Sequence, residues 1–571
     1  MSGAKKLFQS LIRHKVTHVF GYPGGAILPV LNEFYNQSSI RYVLSRTEAG
    51  GSFMAEGYAK ATGKPGVIMV TSGPGAINIM TSLQNALSDG TPILALTGQV
   101  STTVIGTDAF QEADVVGISK ACTKWNSLLT DGTKIDSSVD RAFSHMLDKR
   151  HGPVLLDLPK NIMSGVPTAQ FELPTVSFRG NDQESTTITI EDIHERLQNA
   201  QRPLVLVGQG VIQAGAVSLL RQFLSIYKLP VTTTLMALGA VDERDNRSLR
   251  MLGMHGSYAA NMAIQNCDVL LNLGSRFDDR IIGNPTMFAP KATILHVDIS
   301  SKNINKTIPT KYYRNESCKK VLQTLVILGQ DMKLDVHQTF SWWKQLHTWK
   351  KIRFSYPSKP VLQGRHVLAT LNALIHADTH TYTIVSDVGA HQMWAAQFLE
   401  YNLPKIRFVT SGGLGTMGFA LPASIGVKLG APKDRVICVC GDGGFLMTFQ
   451  ELVTAVENNI GIKVLILNNS YQLMVKIWQE KFYGGQTIGT KMNNPPFEKV
   501  CQALGCRSLR VEDAAQLDGV LKMFLEYDGP IVLNVITDSN ESVLPMVAPG
   551  KGLDDMLLEG STEESTEDAP C

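Results

Sequence analysis

Apolar runs of about four to eight residues recur along most of the chain, each closed by glycine or a polar turn and followed by a longer helix-like segment. A first block holds "THVFGYPGG", "GVIMVTSGPG", "PILALTGQ" and "GPVLLDLP". After the polar stretch "FRGNDQESTTIT" a second block holds "PLVLVGQG", "LPVTTTLM", "DVLLNLGSRFDDR" and "ATILHVDIS". The Trp/Lys-rich connection "SWWKQLHTWKKIRFSYPSK" leads to a third, with "TYTIVSDVG", "RVICVCGDGG", "IKVLILNN" and "GPIVLNVI". Runs rich in β-branched residues, alternating with helical segments, predict parallel sheets with crossover helices. The expected fold class is therefore α/β: three consecutive doubly wound parallel-sheet domains, at 1–165, 186–345 and 362–545, with a C-terminal tail over 546–571. In such sheets ligands sit beyond the carboxyl ends of the strands, where the Gly-rich and charged residues of these runs fall.

Composition narrows the picture. A chain of 571 residues is too long for one core, so about two to four domains are expected. A net charge of +2 argues against a nucleic-acid footprint, and no apolar stretch reaches bilayer-spanning length, so neither nucleic acid nor membrane is an expected partner. Foldable sequence begins almost at once ("AKKLFQSLIRHKVTHVFGYPGG"), which leaves no room for a signal peptide and points to a cytoplasmic location. The eight cysteines are scattered, without CxxC or zinc spacing, and read as buried thiols of a reducing compartment. The acidic end "STEESTEDAPC" has no apolar periodicity and reads as a disordered tail.

The richest stretch is "GDGGFLMTFQELVTAVENNIGIKVLILNNS", from Gly441 to Ser470. Asp442 ends one expected strand and Asn469 ends another, so their side chains can converge above the sheet. A carboxylate and an amide oxygen are hard ligands suited to Mg²⁺, which usually keeps substrate phosphates in its octahedron. Gly441, Gly443 and Gly444 let backbone N–H groups approach a phosphate at the start of the next helix. A lone Gly-Asp-Gly is better explained by a tight strand–turn–helix; the paired Asn at this distance moves the balance to the Mg²⁺-diphosphate site.

Gly-Asp-Gly followed at this spacing by Asn-Asn resembles the thiamine-diphosphate enzymes, and within them the catalytic subunit of acetohydroxyacid (acetolactate) synthase. The resemblance covers nearly the whole chain. It is carried by "FGYPGGAILPV", "MAEGYAKATGKPGV", "TSGPGAIN", "LTGQV", "IGTDAFQEADVVGIS", "CTKW", "VLLDLPK", "TTTLMALGAVD", "MLGMHG", "RFDDRIIGN", "HQMWAAQF", "TSGGLGTMGFALPA" and "LPMVAPG". It implies that Asp442, Asn469 and the Tyr471 carbonyl hold Mg²⁺ on thiamine diphosphate. It also implies that Met417 bends the cofactor and that Met474 packs beside its pyrimidine. Further cofactor positions implied by the match are Tyr22, Pro23, Gly24, Gly25, Pro74, Asn78, Val388, Gly389, His391 and Gly415. Glu48 matches the acid that protonates the pyrimidine ring. A carboxyl donating there would favour the tautomer that removes the thiazolium C2 proton, provided that burial against the ring keeps Glu48 protonated.

The resemblance implies pyruvate and 2-ketobutyrate as substrates in branched-chain amino-acid biosynthesis. Arg280 would fork onto the acceptor carboxylate, as a guanidinium does best. Trp478 would shape the acceptor pocket, with Phe110, Gln111 and Lys160 near the site. The alternative for Arg280 is a plain pair with Asp278 or Asp279, and for Trp478 a core tryptophan. The resemblance also implies a structural FAD, carried by Gly208, Gly210, Thr234, Leu235, Met254, His255, Arg276 and Asp298, although a Gly-Asp expected near "YYRNESC" is absent. A homodimer or tetramer follows, since the first domain of one family subunit meets the third of another; a regulatory small subunit is left open.

Several pocket positions depart from the family. Thr47 stands for His, Ala49 for Gln, Ala390 for Gln, Gly444 for Ser, Leu473 for Gly and Ile477 for Gln. "GGQTIG" replaces a charged loop. Lost hydrogen bonds at 390 and 444 lead us to expect weak thiamine diphosphate binding, with water in the vacated space. Two other readings stand beside acetolactate synthesis. One is a different thiamine-diphosphate 2-ketoacid decarboxylase, oxidase or ligase; the other is a catalytically weakened homologue without enzymatic function.

Overall fold

The computed structural model describes residues 1–35, 37–165, 186–330, 332, 337–352 and 361–558. The tail segment "STEESTEDAPC" and most of "FRGNDQESTTIT" lie outside them. The chain forms two compact units: residues 1–179, 380–392 and 409–539 make the first, and 180–379, 393–408 and 540–571 the second.

The first unit is built on two six-stranded sheets. One has the order Arg41–Leu44, His18–Tyr22, Gly66–Val70, Ile93–Gln99, Val154–Pro159, Trp125–Leu128, all parallel. The other has the order Ile406–Thr410, Tyr382–Ser386, Arg435–Gly441, Ile462–Asn468, Ile531–Ile536, Arg507–Val511, parallel from Tyr382–Ser386 onward. The chain runs outward from His18–Tyr22 to one neighbour and returns to Gly66–Val70 on the other side. It does the same between Tyr382–Ser386 and Arg435–Gly441. These are topological switch points, where diverging loops open a crevice at the carboxyl ends of the strands.

Two helices join the sheets of this unit. Glu48–Thr62 and Ala420–Gly430 pack backbone to backbone, because glycines stand at the crossing. A Cβ at Gly57 would lie 2.1 Å from the Ala423 carbonyl oxygen, and one at Gly426 only 1.8 Å from that of Met54. One core, with Phe53, Met54, Phe419, Phe445 and Phe497, runs through the contact.

The second unit carries the remaining six-stranded sheet, all parallel, in the order Tyr312–Arg314, Thr293–Val297, Val269–Leu273, Pro203–Val207, Val231–Thr233, Ser248–Met251. The Trp/Lys-rich connection holds a helix, Phe340–Lys351, that docks on this sheet. Its Trp342 is buried and donates from Nε1 to the Pro203 carbonyl at 3.0 Å. At the start of the expected tail, Met546–Val547 pairs antiparallel with Met556–Leu557, and Val547 N–H donates to the Met254 carbonyl. Among the described residues no helix is long and apolar enough to cross a membrane.

The flavin expectation for this unit is corrected. Gly208 and Gly210 follow the Pro203–Val207 strand at its switch point, where both pack closely on the backbone at Gly274. A Cβ at Gly208 would lie 2.2 Å from the Gly274 carbonyl oxygen, and Gly210 N–H donates to that oxygen. The other residues of the set are also engaged within the unit. Thr234 N–H donates to Val207 and leads the turn begun by Leu235, and Met254 N–H donates to Arg280. His255 is buried, which pushes its imidazole down to about 4. Arg276 pairs with Asp278 at 3.6 Å, and Asp298 accepts from Ser300 N–H and Asn303 Nδ2. Nor do the described residues gather three or more His, Cys, Asp or Glu side chains that could hold a metal. Packing accounts for the glycine pattern, and FAD is withdrawn.

Candidate active site

The two switch points of the first unit hold the residues singled out from sequence. At the third-domain sheet, Asp442 and Asn469 follow neighbouring strands whose register pairs Gly441 with Leu467. Asp442 begins the helix Asp442–Thr448 and is almost fully buried, which raises its carboxyl above the usual carboxylate range. Asn494 Nδ2, Gly443 N–H and Ser470 N–H all donate to it and oppose that rise. Asn469 is buried and accepts from Tyr471 N–H at 3.0 Å, so it turns the chain through Ser470, whose φ is +58°. Asp442 and the turn that carries Asn469 thus lie at the ends of neighbouring strands, and Asn494 Nδ2 links Asp442 Oδ2 to Asn468 Oδ1.

Around them the chain is tight. A Cβ at Gly443 would meet Gln472 Nε2 at 2.3 Å, and one at Gly441 would lie 3.0 Å from His391 Nδ1. His391 is buried and its Nε2 lacks a hydrogen-bond partner; burial pushes the ring down to about 4. A buried neutral imidazole nitrogen without a partner is costly unless a ligand satisfies it. Val388 and Gly389 precede it, and Ala390 begins the next helix, buried.

Gly444 is not beside an open space. A Cβ there would lie 2.5 Å from Asp387 Oδ2, so the expected water-filled vacancy is corrected: a carboxylate occupies it. Asp387 is buried, which pushes its carboxyl up to about 7, and both its oxygens accept from Gly418 N–H at 3.0 Å. It thereby anchors the residue after Met417. Upstream, the turn is held from the helix Met80–Asp89: Asp89 accepts from Gly412 and Gly413 N–H, and Asn85 accepts from the hydroxyls of Ser411 and Thr416. Gly415, at φ +75°, and the half-buried Met417 sit in that loop.

At the first-domain switch point, Glu48 opens the helix Glu48–Thr62 and accepts from Asn78 Nδ2 at 3.1 Å. A Cβ at Gly75 would come within 3.4 Å of its Oε1, and one at Gly24 would strike Thr71 at 2.4 Å. Glu48 is only half-buried, while Tyr22, Pro23, Gly25, Pro74, Asn78, Phe110 and Gln111 are exposed, Phe110 by 87%. Glu48 is therefore only partly covered, and the apolar side chains of Tyr22, Ile77 and Phe110 beside it in the first domain are exposed.

The remaining expected residues are less gathered. Lys160 begins the helix Lys160–Ser164 and lines an open hollow of about 690 Å³ with Leu28, Pro29, Glu33 and Met163. Trp478 packs edge-on against Phe482, on the helix Leu473–Phe482 that also carries the half-buried Met474. Arg280 belongs to the second unit and is exposed there. Its N–H donates to Asp278 and its guanidinium lies 3.8 Å from Met254 Sδ.

The departures have local accounts. Thr47 caps the Glu48 helix, accepting from Gly50 N–H at 3.0 Å, and Ala49 packs on the shared core. Leu473 and Ile477 are buried on the inner face of their helix. Residues of structural weight not singled out from sequence are Asp387, Glu451 and Asn494. Asn494 Nδ2 donates to both Asp442 Oδ2 and Asn468 Oδ1, at 2.7 and 3.0 Å, from a segment 52 residues away from Asp442.

Comparison with known proteins agrees with this layout. Three family models match in order: the thiamine pyrophosphate enzyme N-terminal TPP binding domain over residues 1–118, the central domain over 190–325 and the C-terminal TPP binding domain over 387–535. The mitochondrial acetolactate synthase of Schizosaccharomyces pombe is 42% identical over 98% of this chain and 87% of its own length. The mitochondrial acetolactate synthase catalytic subunit of Saccharomyces cerevisiae is 41% identical over 98% of this chain and 84% of its own. The acetolactate synthase isozyme 2 large subunit of Escherichia coli is 39% identical over 98% and 99%.

Proposed function

Because the chain belongs to the thiamine-diphosphate enzymes of the acetolactate synthase family, in their large, catalytic-subunit type, we propose that it decarboxylates pyruvate and joins the two-carbon unit to a second 2-ketoacid. The observation that carries this reading is the buried Asp442, joined by Ser470 N–H to the Asn469 turn, beside the unpartnered His391 Nε2. That donor set fits a Mg²⁺-bound diphosphate. Asp442, Asn469 and the Tyr471 carbonyl would hold the metal, while Gly441, Gly443, Val388, Gly389 and His391 would face the diphosphate. Met417, Gly415 and Met474 would bear on the rings.

When bound, thiamine diphosphate supplies a carbon that takes up the ketoacid carbonyl and accepts the electron pair left as CO₂ departs. Glu48 would face the pyrimidine nitrogen as its hydrogen-bonding acid, and Asn78 keeps its carboxyl oriented. By the family match, Arg280 would pair with the acceptor carboxylate, Trp478 would shape the acceptor pocket, and Phe110, Gln111 and Lys160 would lie near the site. Carboligation consumes two molecules of pyruvate for each CO₂ released.

A second copy of the chain completes the site. The exposed rim of Tyr22, Ile77 and Phe110 and the half-buried Glu48 need a covering surface, and the relatives are named as catalytic or large subunits. We therefore assign a homodimer as the smallest active form, leaving a small regulatory partner as a further component. The seven described cysteines are free thiols, which suits a reducing compartment such as the cytoplasm. The test is to measure pyruvate consumed against CO₂ released by the protein with thiamine diphosphate and Mg²⁺. A ratio of two supports carboligation; a ratio of one marks a simple decarboxylase.

A further inference from the structure

Glu451 lies nine residues beyond Asp442, at the start of the helix Glu451–Glu457, and is completely buried. Its carboxylate collects the turn that leads into Glu48. Arg46 N–H donates to Oε1 and Oε2 at 3.1 and 3.0 Å, Thr47 N–H donates to Oε1 at 2.9 Å, and the Thr47 hydroxyl donates to Oε1 at 3.0 Å. The same Thr47 oxygen accepts from Gly50 N–H, so the carboxylate is tied to the cap of the Glu48 helix. Gly50 makes room for it: a Cβ there would lie 2.2 Å from Glu451 Oε1.

The rest of that helix grips the same strand and turn. Thr454 donates to the Leu44 carbonyl at 3.1 Å, Asn458 accepts from Arg41 at 3.0 Å, and Glu457 pairs with Arg46. Burial raises the Glu451 carboxyl above the usual carboxylate range, and the donors that oppose this desolvation are the N–H groups of residues 46 and 47 and the Thr47 hydroxyl. A purely packing role at this position would be served by an apolar side chain without that cost.

We propose that Glu451 is a positioning residue: it sets the entry angle of the Glu48 helix and so aims the Glu48 carboxyl. This rests on the assignment of Glu48 to the pyrimidine made above. It also ties the segment that carries Asp442 to the turn that carries Glu48, so that displacement of one moves the other. Thr47 takes part as the donor between them, which gives this departure from the family residue a function of its own.

The test uses the full-length protein and the variants Glu451→Gln, Gly50→Ala and Glu48→Gln. Gln keeps the size but leaves an NH₂ facing N–H donors; Ala at 50 pushes the intact carboxylate away. In the apo protein, amide hydrogen exchange over residues 42–52 should rise in Glu451→Gln and Gly50→Ala. In the Mg²⁺-thiamine diphosphate form, exchange of the cofactor C2 proton should slow by about 10- to 100-fold, part of what a positioned acid contributes. Cofactor affinity, set by Asp442 and Asn469, should stay within about threefold, a difference under ~1 kcal/mol. Should Glu451→Gln fail to fold, Gly50→Ala alone reads the same two quantities. C2 exchange at the wild-type rate in both variants, with Glu48→Gln slow, would overturn the role of Glu451 and leave the functional reading standing. Unchanged exchange in Glu48→Gln would overturn that reading and this inference with it.

Discussion

Gly444 and Asp387 exclude one another's larger forms: a Cβ at 444 would stand 2.5 Å from Asp387 Oδ2, a carboxylate held in place by Gly418 N–H. Glycine here is thus the complement of a buried acid, not a missing hydroxyl. Gly444→Ser should therefore destabilise the protein by about 1–3 kcal/mol, as overpacking does, and should not tighten cofactor binding. Urea unfolding and calorimetric titration of thiamine diphosphate check both halves.

Asp387 also gives stability a pH dependence. Its carboxyl, at about 7 when folded, titrates near 3.9 when unfolded. Because the folded value is raised, its contribution is complete below about pH 4 and is lost as pH rises to about 7. Asp157 and Glu243, also raised to about 7 by burial, act in the same direction. Asp387→Asn should reduce the decline in stability between pH 4 and 7 without abolishing it. Urea melts across that window would show an unchanged slope if Asp387 stayed ionised throughout.

Asn494 should govern metal affinity without touching substrate. It donates to Asp442 Oδ2 at 2.7 Å and braces Asn468. Hydrogen bonds to a charged group are worth about 1.5–3 kcal/mol, so Asn494→Ala should weaken Mg²⁺-dependent cofactor binding by about 10- to 150-fold. Titrating Mg²⁺ at fixed thiamine diphosphate reads the change; a shift below twofold would mean that Asp442 needs no brace.

The four inner strands of each six-stranded sheet were legible as apolar runs, and the strands of those sheets that were not are their edges: Arg41–Leu44, Trp125–Leu128, Ser248–Met251, Tyr312–Arg314, Ile406–Thr410 and Arg507–Val511. Inner strands of a parallel sheet are covered on both faces and read as unbroken hydrophobic stretches. Edge strands such as "RSLRV" and "YYR" carry charge or hydroxyls along an open side, which breaks the pattern. The site divides in the same way. Asp442 and Asn469 follow inner strands and could be paired by spacing. Glu451 and Asn494 act on partners about 400 and 52 residues away, through contacts that no local spacing encodes. Glycines misled in two places: at 208 and 210 they serve chain packing, and at 444 the close approach of Asp387.

Arg280 should act after decarboxylation. Arg280→Ala should still release CO₂ from pyruvate but transfer the two-carbon unit to a second ketoacid poorly, by about 10- to 150-fold, since a lost charge-assisted pair costs ~1.5–3 kcal/mol. Trp478→Leu should mainly change the choice between pyruvate and 2-ketobutyrate. Competition between the two acceptors, with products separated by chromatography, distinguishes these effects; an Arg280 variant with normal yield would remove the carboxylate clamp.

The central claim is that the site framed by Glu48 and Asp442 performs carboligation. Its most direct test is ¹³C NMR of labelled pyruvate incubated with Mg²⁺, thiamine diphosphate and either the wild-type protein or Glu48→Gln. The account predicts acetolactate as the product of the wild type and almost none from the variant, whose fold and cofactor affinity stay close to normal. Acetaldehyde or acetate as the sole product, or equal acetolactate from both proteins, would contradict it.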